Sequence, residues 1–351
     1  MSIALITGSC GLVGSESSLF FSKKGFDIIG IDNNARKSFF GKDGDITWVK
    51  SKLKKEIKNY YHFNANIRNY SSIKKIFTKI KKKISVIIHC AAQPSHDWAK
   101  DNAFTDFDIN ARGTLNLLEL TKKYCPNSPF IFMSTNKVYG DNPNKLPLVE
   151  MKTRWEIKKS HKFFDGIDET MSVDNCTHSF FGASKTYADL IVQEYGKNFN
   201  LNTVCFRAGC ITGPNHSGAK LHGFLSYLVK ECIRNRSYNI IGYKGKQVRD
   251  NIHSNDLCEA FWNFYKKPSN ESIFNIGGGL ISNCSILEAI KIIQKKLSIK
   301  IKITYNKKER TGDHKWYISN INKFCKSYPK FKIKYNTEKI LEEIIYHNLK
   351  T

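Results

Sequence analysis

Three hundred and fifty-one residues, 41% of them hydrophobic, are enough to bury one large α/β domain with a smaller companion, which excludes a disordered chain. The formal charge of +25 is mostly lysine. Its runs, such as Lys52–Lys58, Lys79–Lys83 and Lys295–Lys302, are broken by Ile and Asn as on solvated helix faces and loops, so no nucleic-acid partner is expected, although polyanionic substrates would be drawn to such a surface.

No stretch approaches the roughly 20 apolar residues of a membrane helix. Ile3–Thr7 runs into a glycine-rich turn instead of a cleavage site, so a cytoplasmic chain with no membrane insertion is the expectation. Ten scattered cysteines, with only Cys205 and Cys210 close together, form neither a zinc knuckle nor a redox CxxC pair, and no metal is expected.

Taken in chain order, the apolar runs Ile3–Thr7, Asp27–Asp32, Tyr60–Asn64, Val86–Cys90 and Phe130–Ser134 predict strands. Between them, Ser71–Ile80 and Asp106–Tyr124 place apolar residues three and four apart, as crossover helices do. A helix over Phe180–Asn198 and a strand over Asn202–Arg207 complete a doubly wound parallel sheet of the Rossmann kind. The dinucleotide-binding domain is expected over 1–209, with a loop-rich insertion at Gly140–Thr177 beside the cleft. Residues 210–351, with helices at Leu221–Arg236 and Asp256–Lys266, are expected mainly to form a smaller α/β substrate domain.

Gly8, Gly11 and Gly14 follow the first strand directly, and Leu12 and Val13 open the next helix. Missing side chains there let backbone amides at a helix N-terminus approach a pyrophosphate. Asp32, ending the second strand, suits the adenosine ribose hydroxyls and repels the extra phosphate of NADP, so NAD is the expected cofactor. Asn33 and Arg36 continue that ribose loop, and Arg36 is the one residue there suited to the NADP phosphate. Asn66 and Ile67, after the third strand, are placed to meet the adenine.

Three later blocks agree with this spacing: His89-Cys90-Ala91-Ala92, Asn110-Ala111-Arg112-Gly113-Thr114 and Ser134-Thr135-Asn136-Lys137-Val138-Tyr139-Gly140. Together they resemble the extended short-chain dehydrogenase/reductase family, the NAD-dependent epimerases and dehydratases, over nearly the whole chain. Within that family Ala91–His96, Pro214–Gly218 and Gly245–Asn251 are similar to the enzymes that invert C2 of CDP-linked dideoxyhexoses.

The resemblance implies a nucleotide-sugar epimerase that holds NAD and takes a nucleotide sugar, a CDP-sugar first. A dehydratase or dehydrogenase acting on another nucleotide sugar is the alternative enzyme. The resemblance also implies that Ala91, Ala92, Gln93, Asn110, Lys185 and Gly209 join the cofactor site. By the same carry-over Thr135 hydrogen-bonds the reacting hydroxyl, Lys185 holds the nicotinamide ribose, and Arg249 and Arg310 grip the diphosphate. Gln93, Asn136 and Asn215 are implied sugar-side contacts. His96 is either another or a loop histidine bonded to backbone. In relatives the helices corresponding to Asp106–Tyr124 and Phe180–Asn198 pair across a two-fold axis, so a homodimer or homotetramer is implied.

The chain departs from the family at one decisive place. The expected Tyr-x-x-x-Lys, in which lysine lowers the phenol's pKa so that it can take a proton, is here Phe181-Gly182-Ala183-Ser184-Lys185. Phenylalanine accepts no proton. Cys176, His178, Tyr187 or a residue of the insertion is then the candidate base, His178 otherwise capping the helix that starts at Phe180. If none serves, the chain binds NAD and a nucleotide sugar without turning the sugar over.

Overall fold

The computed structural model describes residues 2–80, 83–216, 218, 223–270, 272–309 and 312–350. Seven short strands form one parallel sheet in the order Ser272–Ile276, Thr203–Ala208, Phe130–Thr135, Ile84–His89, Ile3–Thr7, Asp27–Ile31, Tyr60–Phe63. Side chains alternate across it. Ala4, Ile6, Ile28, Val86, Ile88 and Val204 belong to one apolar core with the helices Leu12–Lys23, Thr47–Glu56 and Ser254–Lys266. Leu5, Ile29, Ile87, Phe130, Phe132 and Cys205 belong to another, with Tyr70–Ile80, Gly113–Tyr124 and Phe180–Phe199. Burial on both faces explains why these strands are near-continuous apolar runs. The strand order reverses between Ile3–Thr7 and Ile84–His89, which opens a crevice at the carboxyl ends of those strands.

The expected helix over Asp106–Tyr124 is not one regular helix. Ala103–Phe107 is α-helical, Asp108–Arg112 makes a wider π turn, and the α-helix resumes over Gly113–Tyr124. The wide turn accompanies an inward-facing Asn110, whose amide bonds Asp106 and Ser184. The helix expected from Leu221 runs over Phe224–Ile233; residues 221 and 222 lie outside the described residues. Gly223 at φ 87° precedes it, and Asn235 at φ 54° follows its end.

The chain also recrosses the boundary expected at Gly209. Ser272–Ile276 pairs with Thr203–Ala208, and its Phe274 and Ile276 are buried in the large core. The smaller unit packs three helices, Phe224–Ile233, Ile286–Leu297 and Thr337–Lys350, around a core of their own. Within Gly140–Thr177 the segments Leu148–Glu150 and Trp155–Ile157 form an antiparallel hairpin. Ile157, Phe163, Ile167 and Met171 pack with Trp316, Tyr317 and Ile318, so the insertion is a packed lobe. Among the described residues no helix is long and apolar enough to cross a membrane.

A buried ion pair ties the helix Phe180–Phe199 to the sheet. Arg207 donates from Nε and Nη2 to Asp189 at 3.1 and 2.7 Å, and from Nη1 to the Tyr139 hydroxyl at 3.2 Å. Removing one partner leaves the other charged and desolvated, so Asp189→Ala should destabilise the fold by about 3–5 kcal/mol. The double variant Asp189→Leu/Arg207→Met should cost much less. Urea unfolding of both measures the difference.

Candidate functional site

The glycine turn is held by contact of backbone with backbone. Gly11 N–H donates to the Gly8 carbonyl at 3.0 Å, and Ser15 N–H to Gly11 at 2.8 Å, bending the chain straight from strand into helix. Gly8 adopts φ +65°, and a Cβ on it would lie 2.7 Å from the Ala91 nitrogen. A Cβ on Gly14 would lie 2.1 Å from the Gly8 carbonyl oxygen, so the first helix can begin this close to the sheet only with glycine there.

Gly11 caps the helix Leu12–Lys23 with no side-chain hydrogen bond and no acidic residue in the first turn. Leu12, Val13 and Gly14 therefore offer the helix N-terminus to the cleft they line, as a pyrophosphate requires. Asp32 accepts from Cys10 N–H at 3.0 Å and Asn34 N–H at 2.8 Å. A carboxylate has about four acceptor positions, so capacity remains for two ribose hydroxyls. Burial pushes the Asp32 carboxyl up, while those amides and nearby Arg36 pull it down. Arg36 lies over the Phe40 ring at 5.0 Å, and burial pushes its guanidinium down to about 10. These residues fit a dinucleotide.

One cleft of about 880 Å³ extends from this turn to the smaller unit. Of the expected cofactor residues it is lined by Gly8, Gly11, Leu12, Val13, Gly14, Asp32, Asn33, Arg36, Asn66, Ile67, Ala91, Ala92, Lys185 and Gly209; of the sugar-side ones by His96, Thr135, Asn136 and Arg249. Thr135 ends the strand Phe130–Thr135, and its Oγ1 accepts from Lys137 N–H at 3.3 Å. Lys185 donates to the Met133 carbonyl at 2.7 Å and lies over the Phe132 ring at 4.0 Å. Burial lowers its pKa to about 8. Phe181, one helical turn earlier, lines the same cleft.

Three expected contacts point elsewhere. Gln93 is fully buried, and its amide donates to the Ser95 carbonyl and to Asp106, both at 2.8 Å; it braces the loop instead of reaching the cleft. Asn110 bonds the Gln93 backbone, Asp106 and Ser184 beneath that loop. Asn215 is held by Glu16 and by Lys52, and the cleft residue of its block is His216. Arg310 lies outside the described residues.

None of the three named substitutes for the phenol lines the cleft. His178 is tied to the Val173 and Lys137 carbonyls at 3.0 and 3.3 Å, and Cys176 to the Val173 carbonyl at 3.3 Å. Tyr187 packs on Phe107 at the protein surface. His178 does not cap its helix either, since Ser179 Oγ accepts from Gly182 N–H at 3.1 Å.

Two cleft residues, Lys137 and Asp313, are not among the expected contacts, although Lys137 stands inside a quoted block. Lys137 donates to the Gly312 carbonyl at 2.9 Å and lies 3.7 Å from Asp313, which also pairs with Arg249. Burial lowers the Lys137 pKa to about 8, against the pull of Asp313. Burial pushes the Asp313 carboxyl up, but Arg249 and Lys137 overcome it and hold the group well below the usual carboxylate range. A cation three residues past the expected strand Phe130–Ser134, inside a block already singled out, was the signal for Lys137.

The sequence model of the NAD dependent epimerase/dehydratase family matches residues 4–277. CDP-paratose 2-epimerase of Salmonella typhi is 31% identical over 348 residues, covering 96% of this chain and 98% of that one. Two solved structures share the fold: dTDP-glucose 4,6-dehydratase of Bacillus anthracis in complex with NAD, at TM-score 0.78 and 24% identity over 100% and 97% of the two chains, and UDP-glucuronic acid 4-epimerase of Bacillus cereus with UDP-glucuronic acid and NAD, at TM-score 0.78 and 22% identity over 99% of each.

Asp32→Ala removes a charged hydrogen-bond acceptor, which should weaken NAD binding by about 1.5–3 kcal/mol, tenfold or more, and narrow the preference over NADP. A Cβ on Gly11 meets only the Gly8 carbonyl oxygen at 3.4 Å. Gly11→Val should therefore keep the melting temperature within a few degrees and lose NAD, whereas Gly14→Ala should lower both. Calorimetry with each cofactor and thermal melts check the three variants; tighter binding of NADP than NAD by the wild type would overturn the role given to Asp32.

Proposed function

The chain belongs to the NAD dependent epimerase/dehydratase family, and from that premise we propose that it inverts C2 of a CDP-linked dideoxyhexose of the paratose and tyvelose kind. The observation that carries this reading is the single cleft joining the glycine turn and Asp32 to Thr135, Lys185 and Arg249. It is supported by the match to CDP-paratose 2-epimerase along almost the full length of both chains.

NAD, the cofactor of this family, supplies reversible acceptance of a hydride from a sugar carbon. The choice of carbon follows from ketone chemistry. A transient 4-ketone acidifies the hydrogens on C3 and C5 but not on C2, and a 3-deoxy sugar has no C3 hydroxyl to oxidise, so inversion at C2 calls for oxidation at C2 itself and hydride return to the opposite face. In this reading the amides of Leu12 to Gly14 hold the pyrophosphate, Asp32 the adenosine ribose and Lys185 the nicotinamide ribose. Thr135 orients the reacting hydroxyl, and the Arg249 guanidinium meets the substrate diphosphate in the bidentate manner that suits phosphate oxygens.

Phe181 favours a second reading, a protein that binds NAD and a nucleotide sugar without chemistry. Purified protein incubated with CDP-paratose separates the two. Formation of the C2 epimer by NMR, with transient absorbance of reduced nicotinamide, is the outcome expected for an epimerase. Neither signal, with calorimetric binding of both ligands retained, is the outcome for a non-catalytic binder.

We also propose self-association through the faces of Ala103–Tyr124 and Phe180–Phe199. Phe104, Phe107, Tyr187 and Leu190 expose apolar surface there, Phe104 at 91%. Sedimentation at micromolar concentration should give a dimer or tetramer, and Phe104→Asp/Leu190→Asp should shift it toward monomer. A monomeric wild type overturns the proposal.

A further inference from the structure

The strand order places Ile3–Thr7 between Ile84–His89 and Asp27–Ile31. The chain leaving each flanking strand turns into a short helix at the carboxyl edge, Ala35–Phe40 after Asp27–Ile31 and His96–Asp101 after Ile84–His89. Phe39 of the first helix meets Trp98 of the second, with ring centroids 4.7 Å apart and planes at 55°. Segments from either side of Ile3–Thr7 therefore touch across the end of that strand, where the glycine turn begins. Both rings line the cleft that the turn lines. Phe39 also packs with the core on the sheet face opposite the helix Leu12–Lys23. The amides of Leu12 to Gly14 thus bound the crevice on one side and the aromatic pair on the other.

The two rings are not held alike. Trp98 stands on a braced loop: Ser95 Oγ accepts from Trp98 N–H at 3.3 Å, and Gln93 donates to the Ser95 carbonyl and to buried Asp106, both at 2.8 Å. Phe39 rides on a helix of six residues, none of them fully buried. A left-handed residue stands at each end of that helix, Asn34 at φ 57° and Gly41 at φ 63°. Asn34 anchors the near end, donating to Asp45 at 2.9 Å and accepting from Ile46 N–H at 3.2 Å. Farther along, Lys230 of the smaller unit pairs with Asp43 at 2.8 Å, a surface contact of little worth. Few buried contacts between two fixed bends are what a strap that moves as a unit requires.

We propose that Phe39 and Trp98 form a clasp over the cofactor cleft, and that NAD enters and leaves when the strap carrying Phe39 swings off Trp98. The proposal concerns the cofactor alone and holds whichever sugar the chain takes. With the rings in contact, a dinucleotide on the glycine turn is enclosed. Parting them gives up the aromatic contact and returns both rings to water. The clasp is closed in the empty cleft too, so its parting limits entry as well as exit.

NAD-loaded protein mixed with excess alcohol dehydrogenase and ethanol reports each released NAD as absorbance of the reduced nicotinamide, which gives koff. Calorimetry gives Kd, and koff divided by Kd gives kon. Phe39→Ala and Trp98→Ala should each raise koff and kon together by roughly tenfold, the worth of an aromatic pair, and leave Kd within about threefold. Because both variants remove the same contact, the double variant should be no faster than the faster single one. Phe39→Leu, which keeps most of the apolar packing, should shift both rates in the same direction and decides the matter where alanine lowers the melting temperature. Unchanged koff in these variants overturns the clasp. So does koff rising with kon fixed, the result if the rings merely touch the bound cofactor, and so do additive effects in the double variant. A wild type that binds no NAD overturns the role of the glycine turn and the clasp with it, whereas none of the other outcomes bears on which sugar carbon is inverted.

Discussion

Backbone meeting backbone at the carboxyl edge of the parallel sheet is the constraint on which the rest depends. With no side chain on Gly8 or Gly14, the first helix starts close against the turn and the loop that begins at Cys90, and its amides face the point where strand order reverses. A second close approach lies along the same edge. Cβ atoms on Gly209 and Gly277 would fall 2.0 and 1.8 Å from the Asp250 carboxylate, which accepts from Ser319 N–H at 3.0 Å. That carboxylate joins the end of the large sheet to the smaller unit, and burial pushes its pKa up to about 6. The cleft lies between these two seams.

Much of this was legible in the sequence, because doubly buried strands and amphipathic helices write their burial as periodicity. The glycine turn was legible for a similar reason: close approach of backbone to backbone restricts residue type at fixed spacing. Polar residues in the same blocks were not. Gln93, Asn110 and Asn215 stand beside cleft residues in the chain, yet each turns to a partner inside the protein, and spacing does not encode that choice. The return of Ser272–Ile276 to the large sheet was equally hidden, since a short apolar strand carries no label for the sheet it joins. Phe181 was visible as a departure from the family's pattern. The His96 imidazole against it, contributed from 85 positions earlier in the chain, became visible only when the fold brought the two rings together.

The end of the cleft at Arg249 concentrates charge in a way the surface lysines do not. Lys137 and Arg249 share one carboxylate, Asp313, so the cluster carries one net positive charge in a desolvated setting. Buried cations of this kind are costly without a partner, and an anionic ligand entering the cleft would compete with Asp313 for the Arg249 fork. Attraction by the lysine-rich exterior is screened by salt, whereas pairing inside the cleft is screened much less.

The π turn at Asp108–Arg112 gives this molecule an unusual relation to change in length. A π turn amounts to one residue inserted into a helix, so removing a residue from it would leave an unbroken α-helix, with the segments on either side still facing their present neighbours. The same deletion placed within Gly113–Tyr124 would rotate every later side chain by about 100° and pull Leu117, Leu118 and Leu120 out of the core. What the shortened turn would lose is Asn110 from beneath the loop of Gln93, and with it the bridge from that loop to Ser184. The helix thus carries one position where the chain can shorten without disturbing the packing, and that position is the one that braces the cleft.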